Sequence, residues 1–160
     1  MKNIITKIGF VTLFSMLTLT IQAQNLPETG SLGIRANLTG QGTIELPYML
    51  NDELSLAPFI GLNSTQDQTT NFTIGVSPRY YVSTGNSIAT YATGVFGISN
   101  TSFSNANNSI TDFNLGIGYG AEYFFANRFS VSADANLNAR FGDSATNIAT
   151  VARVSASIYF

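Results

Sequence analysis

The 160-residue chain contains no cysteine, histidine or tryptophan, and only 10% of it is charged, against about a quarter in an ordinary soluble domain. Ser-His-Asp hydrolysis, thiolate chemistry and His- or Cys-ligated zinc are therefore excluded. A net charge of −2 and a pI near 4.8 leave no basic surface for a phosphate backbone, so a nucleic-acid partner is not expected.

Lys2 and Lys7 precede an apolar stretch over residues 8–21, which ends just before Ala23. This order predicts a secretory signal peptide over residues 1–23, cleaved before Gln24. At roughly 1.5 Å per residue the stretch is too short for the ~30 Å hydrocarbon core. Both lysines leave with the leader. The remaining domain, residues 24–160, carries five Arg against nine acidic residues, a net charge of −4.

Beyond Gln24 apolar residues fall at alternate positions, in runs broken by Gly, Asn, Asp, Ser and Thr, which is the period of β-strands. The first run sets Leu32, Ile34, Ala36 and Leu38 against Gly33, Arg35 and Asn37. Next, Ile44, Leu46, Tyr48 and Leu50 share a face, followed by Leu54, Leu56, Pro58, Ile60 and Leu62. The fourth run pairs Phe72, Ile74, Val76, Pro78, Tyr80 and Val82 against Arg79 and Tyr81. A fifth, over residues 87–98, is β-prone but of open parity, since Ile88 and Phe96 or Tyr91 and Val95 would each lead a face. The sixth alternates Phe113, Leu115, Ile117, Tyr119, Ala121 and Tyr123 with glycines, Asn114 and Glu122. The seventh runs from Phe129 to Arg140, and the eighth from Ile148 to the terminal Phe160. Joins at 51–53, 83–86 and 126–127 are short, whereas those at 63–71, 99–111 and 141–147 are longer and polar. The join at 40–42 is short although it falls among the long ones. Eight strands with this alternation predict an all-β, antiparallel up-and-down barrel whose short joins face the periplasm.

Charge placement decides which face is dry. Arg35, Glu45, Arg79, Glu122, Asp134, Arg140 and Arg153 all fall on the polar parity of their strands. A water-exposed face would carry charge at roughly 25–35% of its positions. This one is mostly Gly, Ser, Thr, Asn and Ala, which suits an enclosed lumen where these seven residues form an ion-pair network. The apolar parity then meets lipid, where an Arg or Lys at midplane costs roughly 2–4 kcal/mol. Tyr48, Tyr80, Tyr123, Phe129 and Phe160 lie on that outward parity near the short-join end, an aromatic girdle at the membrane interface. Phe72 and Phe113 form a weaker one at the other end.

With these features the chain resembles the small eight-stranded outer-membrane β-barrels of the OmpA/OmpX type over the whole of residues 24–160. Val154, Ala156, Ile158 and Phe160 resemble the C-terminal signal that the barrel assembly machinery reads in that family. The resemblance implies an integral protein of the cell outer membrane, in contact with its lipid and monomeric. It departs from larger members in having no peptidoglycan-binding domain.

An eight-stranded barrel is just wide enough for side chains to fill it. The expected role is structural or surface-exposed, without catalysis, cofactor or metal. Two alternatives stand beside it: a narrow porin-like pore for ions or small solutes, and adhesion or recognition by the longer joins.

Overall fold

The computed structural model describes residues 26–39, 42–85, 87–104, 108–126 and 128–160. The expected leader, residues 1–23, lies outside them, as do Gly40, Gln41, Asn86 and Asn127. The strands are β1 (Gly33–Asn37), β2 (Thr43–Glu45), β3 (Tyr48–Met49), β4 (Leu54–Thr65), β5 (Thr69–Thr84), β6 (Ile88–Phe103), β7 (Ser109–Ala126), β8 (Phe129–Gly142) and β9 (Asn147–Tyr159). β2 and β3 are two pieces of one stave, interrupted at Leu46 and Pro47. Proline has no N–H for the ladder, but the stave stays attached on both sides. Pro47 O accepts from Gly33 N at 2.8 Å, and Leu46 N donates to Pro58 O at 2.9 Å.

Every pairing is antiparallel, β1 pairs β9, and β2 pairs both β1 and β4, so the sheet closes into an eight-stave barrel. Closure leaves no sheet edge at the seam, which is what allows strands to cross a membrane. The stagger follows from the register. Opposed residues lead from Ile148 through Ala139, Leu115, Phe96, Val76 and Pro58 to Leu46. Continuing through β1, the path returns to β9 at Ile158, ten residues from its start. Eight strands with that shear tilt by about 40° and enclose a backbone radius of about 8 Å.

β6 resolves the open parity of the fifth run. Ile88, Phe96 and Ile98 point outward, while Ala89, Tyr91 and Thr93 are buried in the lumen. The longer joins are a correction to the sequence-based expectation: most of their residues are strand. β4 and β5 meet in a turn at residues 66–68, β6 and β7 are separated by 104–108, and β8 and β9 by 143–146. Polar side chains carry the ladder beyond the apolar band. Ser64 and Thr70 share a 2.9 Å bond, Asn71 Nδ2 donates to Thr101 Oγ1 at 2.7 Å, and Asn100 Nδ2 donates to Thr111 Oγ1 at 3.0 Å. Both faces are wet there, so hydrophobic alternation disappears although the strand continues.

The interior is polar and the exterior apolar. Arg35, Arg79, Glu45 and Glu122 are buried, whereas Ile34, Ile60, Phe96, Ile117 and Leu137 are exposed on the outer face. Glycine lets the inner wall be thin where large side chains cross it. A Cβ on Gly75 would lie 2.5 Å from Phe59 Cζ and 2.2 Å from Phe96 O, so the tip of the Phe59 ring takes the space a side chain there would need.

Ile117 is 70% exposed. Ile117→Arg is therefore expected to lower unfolding stability in lipid by roughly 2–4 kcal/mol, the cost of a cation near the midplane. Denaturant titration in vesicles measures it; an outer face bathed in water would leave stability unchanged.

Candidate functional site

Register alone sets two of the lumen contacts. Arg35 lies directly opposite Glu45 across β1 and β2, and Asp134 opposite Arg153 across β8 and β9. Both pairs point inward, so each Arg meets its carboxylate as a cross-strand neighbour. Arg35 Nη1 donates to Glu45 Oε2 at 3.0 Å, and Arg153 Nε donates to Asp134 Oδ1 at 2.8 Å. Arg79 has no opposed carboxylate. On β5 it faces Ser55 of β4 and Thr93 of β6, so it reaches past β6 to β7 and β8. There Nη1 donates to Glu122 Oε2 at 3.1 Å and Nη2 to Asp134 Oδ2 at 3.5 Å.

These contacts join into a ring. From Arg35 the path runs to Glu45, then to Arg153 at 3.9 Å, Asp134, Arg79 and Glu122. It returns through Tyr159, whose hydroxyl donates to Glu122 Oε1 at 3.2 Å and accepts from Arg35 Nη2 at 3.1 Å. Three guanidinium groups thus alternate with three carboxylates. Charges of either sign in so dry a space are costly unless paired and hydrogen-bonded, and the alternation gives each a partner on both sides.

Hydroxyl groups fill several of the remaining positions, while Arg79 Nε and Arg153 Nη2 find no partner among the described residues. Glu122 also accepts from Tyr81 Oη at 2.8 Å and Ser130 Oγ at 2.5 Å, and Asp134 accepts from Tyr91 Oη at 2.9 Å. Arg35 Nε donates to Ser157 Oγ at 3.1 Å, and Arg79 Nη1 to Ser132 Oγ at 3.2 Å. The Arg79 guanidinium also stands 4.2 Å from the centre of the Tyr91 ring, a cation–π contact strengthened by exclusion of water. Every lumen carboxylate is engaged by at least one Arg, so the arrangement neutralises charge and ties walls together, and holds no carboxylate ready as a general base.

Six of the seven residues expected to form the network meet in this ring. Arg140 does not. It is 52% exposed and its nearest carboxylate is Asp112, 4.0 Å away. The reason is axial distance: Arg140 shares a face with Asp134 but lies six residues along β8, about 20 Å at the strand rise. Asp112 is held instead by Ser144, whose N and Oγ donate to it at 3.0 and 2.6 Å. The tyrosines of the network are absent from the sequence-based expectation. Tyr81 and Tyr159 show inward parity, which was the available signal, whereas Tyr91 sits on the strand whose parity was open.

On the outer surface, Tyr48, Tyr80, Phe129 and Phe160 are exposed at the end that bears both strand termini. Tyr123 is half-buried against Phe125, whose ring centre is 4.7 Å away, and Phe125 in turn lies 5.5 Å from Phe129. Phe125 extends the girdle beyond the residues expected of it. Val154, Ala156, Ile158 and Phe160 lie on the outward parity of the closing strand: Ala156 is opposite Ala36, Ile158 opposite Ile34, and Phe160 N donates to Leu32 O at 2.8 Å.

Comparison with known proteins places this architecture. Residues 14–160 match the family model described as outer membrane protein beta-barrel domain. The N-terminal β-barrel domain of Pseudomonas aeruginosa OprF is similar in structure, with a TM-score of 0.62 and 19% identity, over 82% of this chain and 98% of that one. Neisserial surface protein A (NspA) is similar with a TM-score of 0.58 and 15% identity, over 81% of this chain and 92% of its own. At these identities the two structures show the fold. No curated protein matches the chain.

Removing one member of the ring strands its partner. Glu122→Ala is expected to destabilise the barrel by roughly 3–5 kcal/mol, and replacing Arg79 and Glu122 together by Met and Leu by much less than the two single changes added. Arg140→Ala is expected to fall within about 0.5 kcal/mol of the parent. Equilibrium unfolding of the refolded variants in vesicles gives all of these values; equal losses for Glu122→Ala and Arg140→Ala would contradict the ring's importance.

Proposed function

Because this chain belongs to the outer membrane protein beta-barrel family, we propose that it is an occluded barrel of the outer membrane, with a structural role and a surface-presenting far end. The observation that supports this is the charge ring: Arg35, Glu45, Arg153, Asp134, Arg79 and Glu122 link with Tyr159 across a lumen of about 8 Å backbone radius. A hydrated ion passing this level would have to part buried ion pairs. In the same reading residues 1–23 are a cleaved export leader, and the barrel assembly machinery reads the outward residues of β9. The chain works as a monomer, and it needs no catalysis or cofactor. The narrow-pore alternative is separated by single-channel recording on the refolded protein in planar bilayers. A silent bilayer is expected, and discrete conductance would overturn the occluded reading.

One observation favours surface recognition as a second reading. The polar extension of β4 to β7 stands beyond the apolar band as a hydrogen-bonded sheet, and Phe103 is exposed near its tip. Replacing residues 102–109 with a two-residue turn should leave the folded barrel intact and reduce adhesion of cells that display it. Unchanged adhesion would remove this reading.

A further inference from the structure

The lumen is closed a second time, with apolar side chains, at the end where β1 begins and β9 finishes. Met49, Tyr81, Tyr91, Phe124 and Tyr159 form a buried cluster there, and Leu26 packs against it. Met49, Tyr81 and Phe124 each lie nearer that end than the ring residue of their own stave: Met49 beyond Glu45, Tyr81 beyond Arg79, Phe124 beyond Glu122. Met49 and Phe124 therefore lie below the charge ring along the barrel axis, and the rings of Tyr81, Tyr91 and Tyr159 connect the two levels, with their hydroxyls on the ring's carboxylates.

The segment carrying Leu26 is tied in place rather than merely adjacent. Gly30 N donates to Met49 O at 2.8 Å, Met49 N donates to Ser31 O at 3.0 Å, and Ser31 N donates to Glu28 O at 2.9 Å. Thr29 Oγ1 donates to Asp52 Oδ1 at 2.6 Å, which fixes the segment to the neighbouring turn. Pro27 is buried within it. These bonds fix residues 30–31 along β3 and leave Leu26 packed on the lumen cluster, and Gly30, at φ +90°, supplies a backbone conformation that L side chains rarely adopt.

We infer that residues 26–31 are a built-in stopper, an apolar seal of Leu26 and Pro27 on Met49 and Phe124 that holds the lumen shut in series with the charge ring. The inference rests on the occluded reading of the barrel and adds where a conducting state is blocked. An ion crossing an intact ring would still meet the apolar side chains of Leu26, Met49 and Phe124, and an ion entering past a displaced stopper would still meet the ring.

The test uses the refolded protein from Gln24 to Phe160 in planar bilayers, with heat-modifiable gel migration as the control for folding. Arg79→Ser with Glu122→Ser opens the ring; Leu26→Asp displaces the stopper. Glu122→Gln and Leu26→Ser, which perturb folding less, are run in parallel. The parent and each class of variant alone are expected to be silent, and the combination to give discrete conductance at least tenfold above background. Conductance of the ring variants alone equal to that of the combination would overturn the stopper, as would a silent combination. Conductance of the stopper variants alone at that level would overturn the series arrangement. A conducting parent would instead refute the occluded reading itself, so the two failures are distinct.

Discussion

Six charges confined within a backbone radius of about 8 Å have neither bulk water nor lipid to solvate them, and the protein is organised around that condition. Alternating three Arg with three carboxylates keeps the set neutral and gives four of the charges two opposite neighbours, while Arg35 and Glu122 have one each and meet through the Tyr159 hydroxyl. The geometry needed for this is supplied by β-pairing, since two of the Arg–carboxylate contacts are direct cross-strand neighbours. Only Arg79 must span the lumen, and it is the one backed by an aromatic ring and a serine.

The small inner residues follow from the same condition. Ser130, Ser132 and Ser157 present hydroxyls to the ring without filling the space the guanidinium groups need. Glycines opposite the larger side chains let them lie against the wall: Asn136 lies over Gly118 as Phe59 lies over Gly75. The outer face answers to the opposite solvent. Apolar side chains exposed there match hydrocarbon, and aromatic residues with one polar edge or flat ring collect where hydrocarbon gives way to headgroups.

Much of this was legible in the alternation of residues. In a membrane barrel the two faces of each strand see different solvents, so a period of two marks both the strand and its orientation. It failed in two places for identifiable reasons. Residues 87–98 mix apolar side chains on both faces because Tyr91 is needed inside, where its ring backs Arg79 and its hydroxyl meets Asp134. Residues 63–71 and 99–111 looked like loops because both faces of the extended sheet are polar, and cross-strand Asn, Ser and Thr contacts replace the apolar signal.

Parity along the chain by itself determined the barrel, the direction of every strand face but one, and the confinement of charge to the lumen, because these depend only on which side of a strand a residue occupies. It did not determine partners. Arg140 and Arg153 share the same inward parity and the same chemistry, yet Arg153 joins the ring and Arg140 stands half exposed near the rim. Axial height and the ten-residue stagger between strands separate them, and both arise only when the sheet closes on itself. Closure also brings Tyr159, at the end of the last strand, against Arg35 on the first. No local pattern encodes that contact, since it joins residues from opposite ends of the chain.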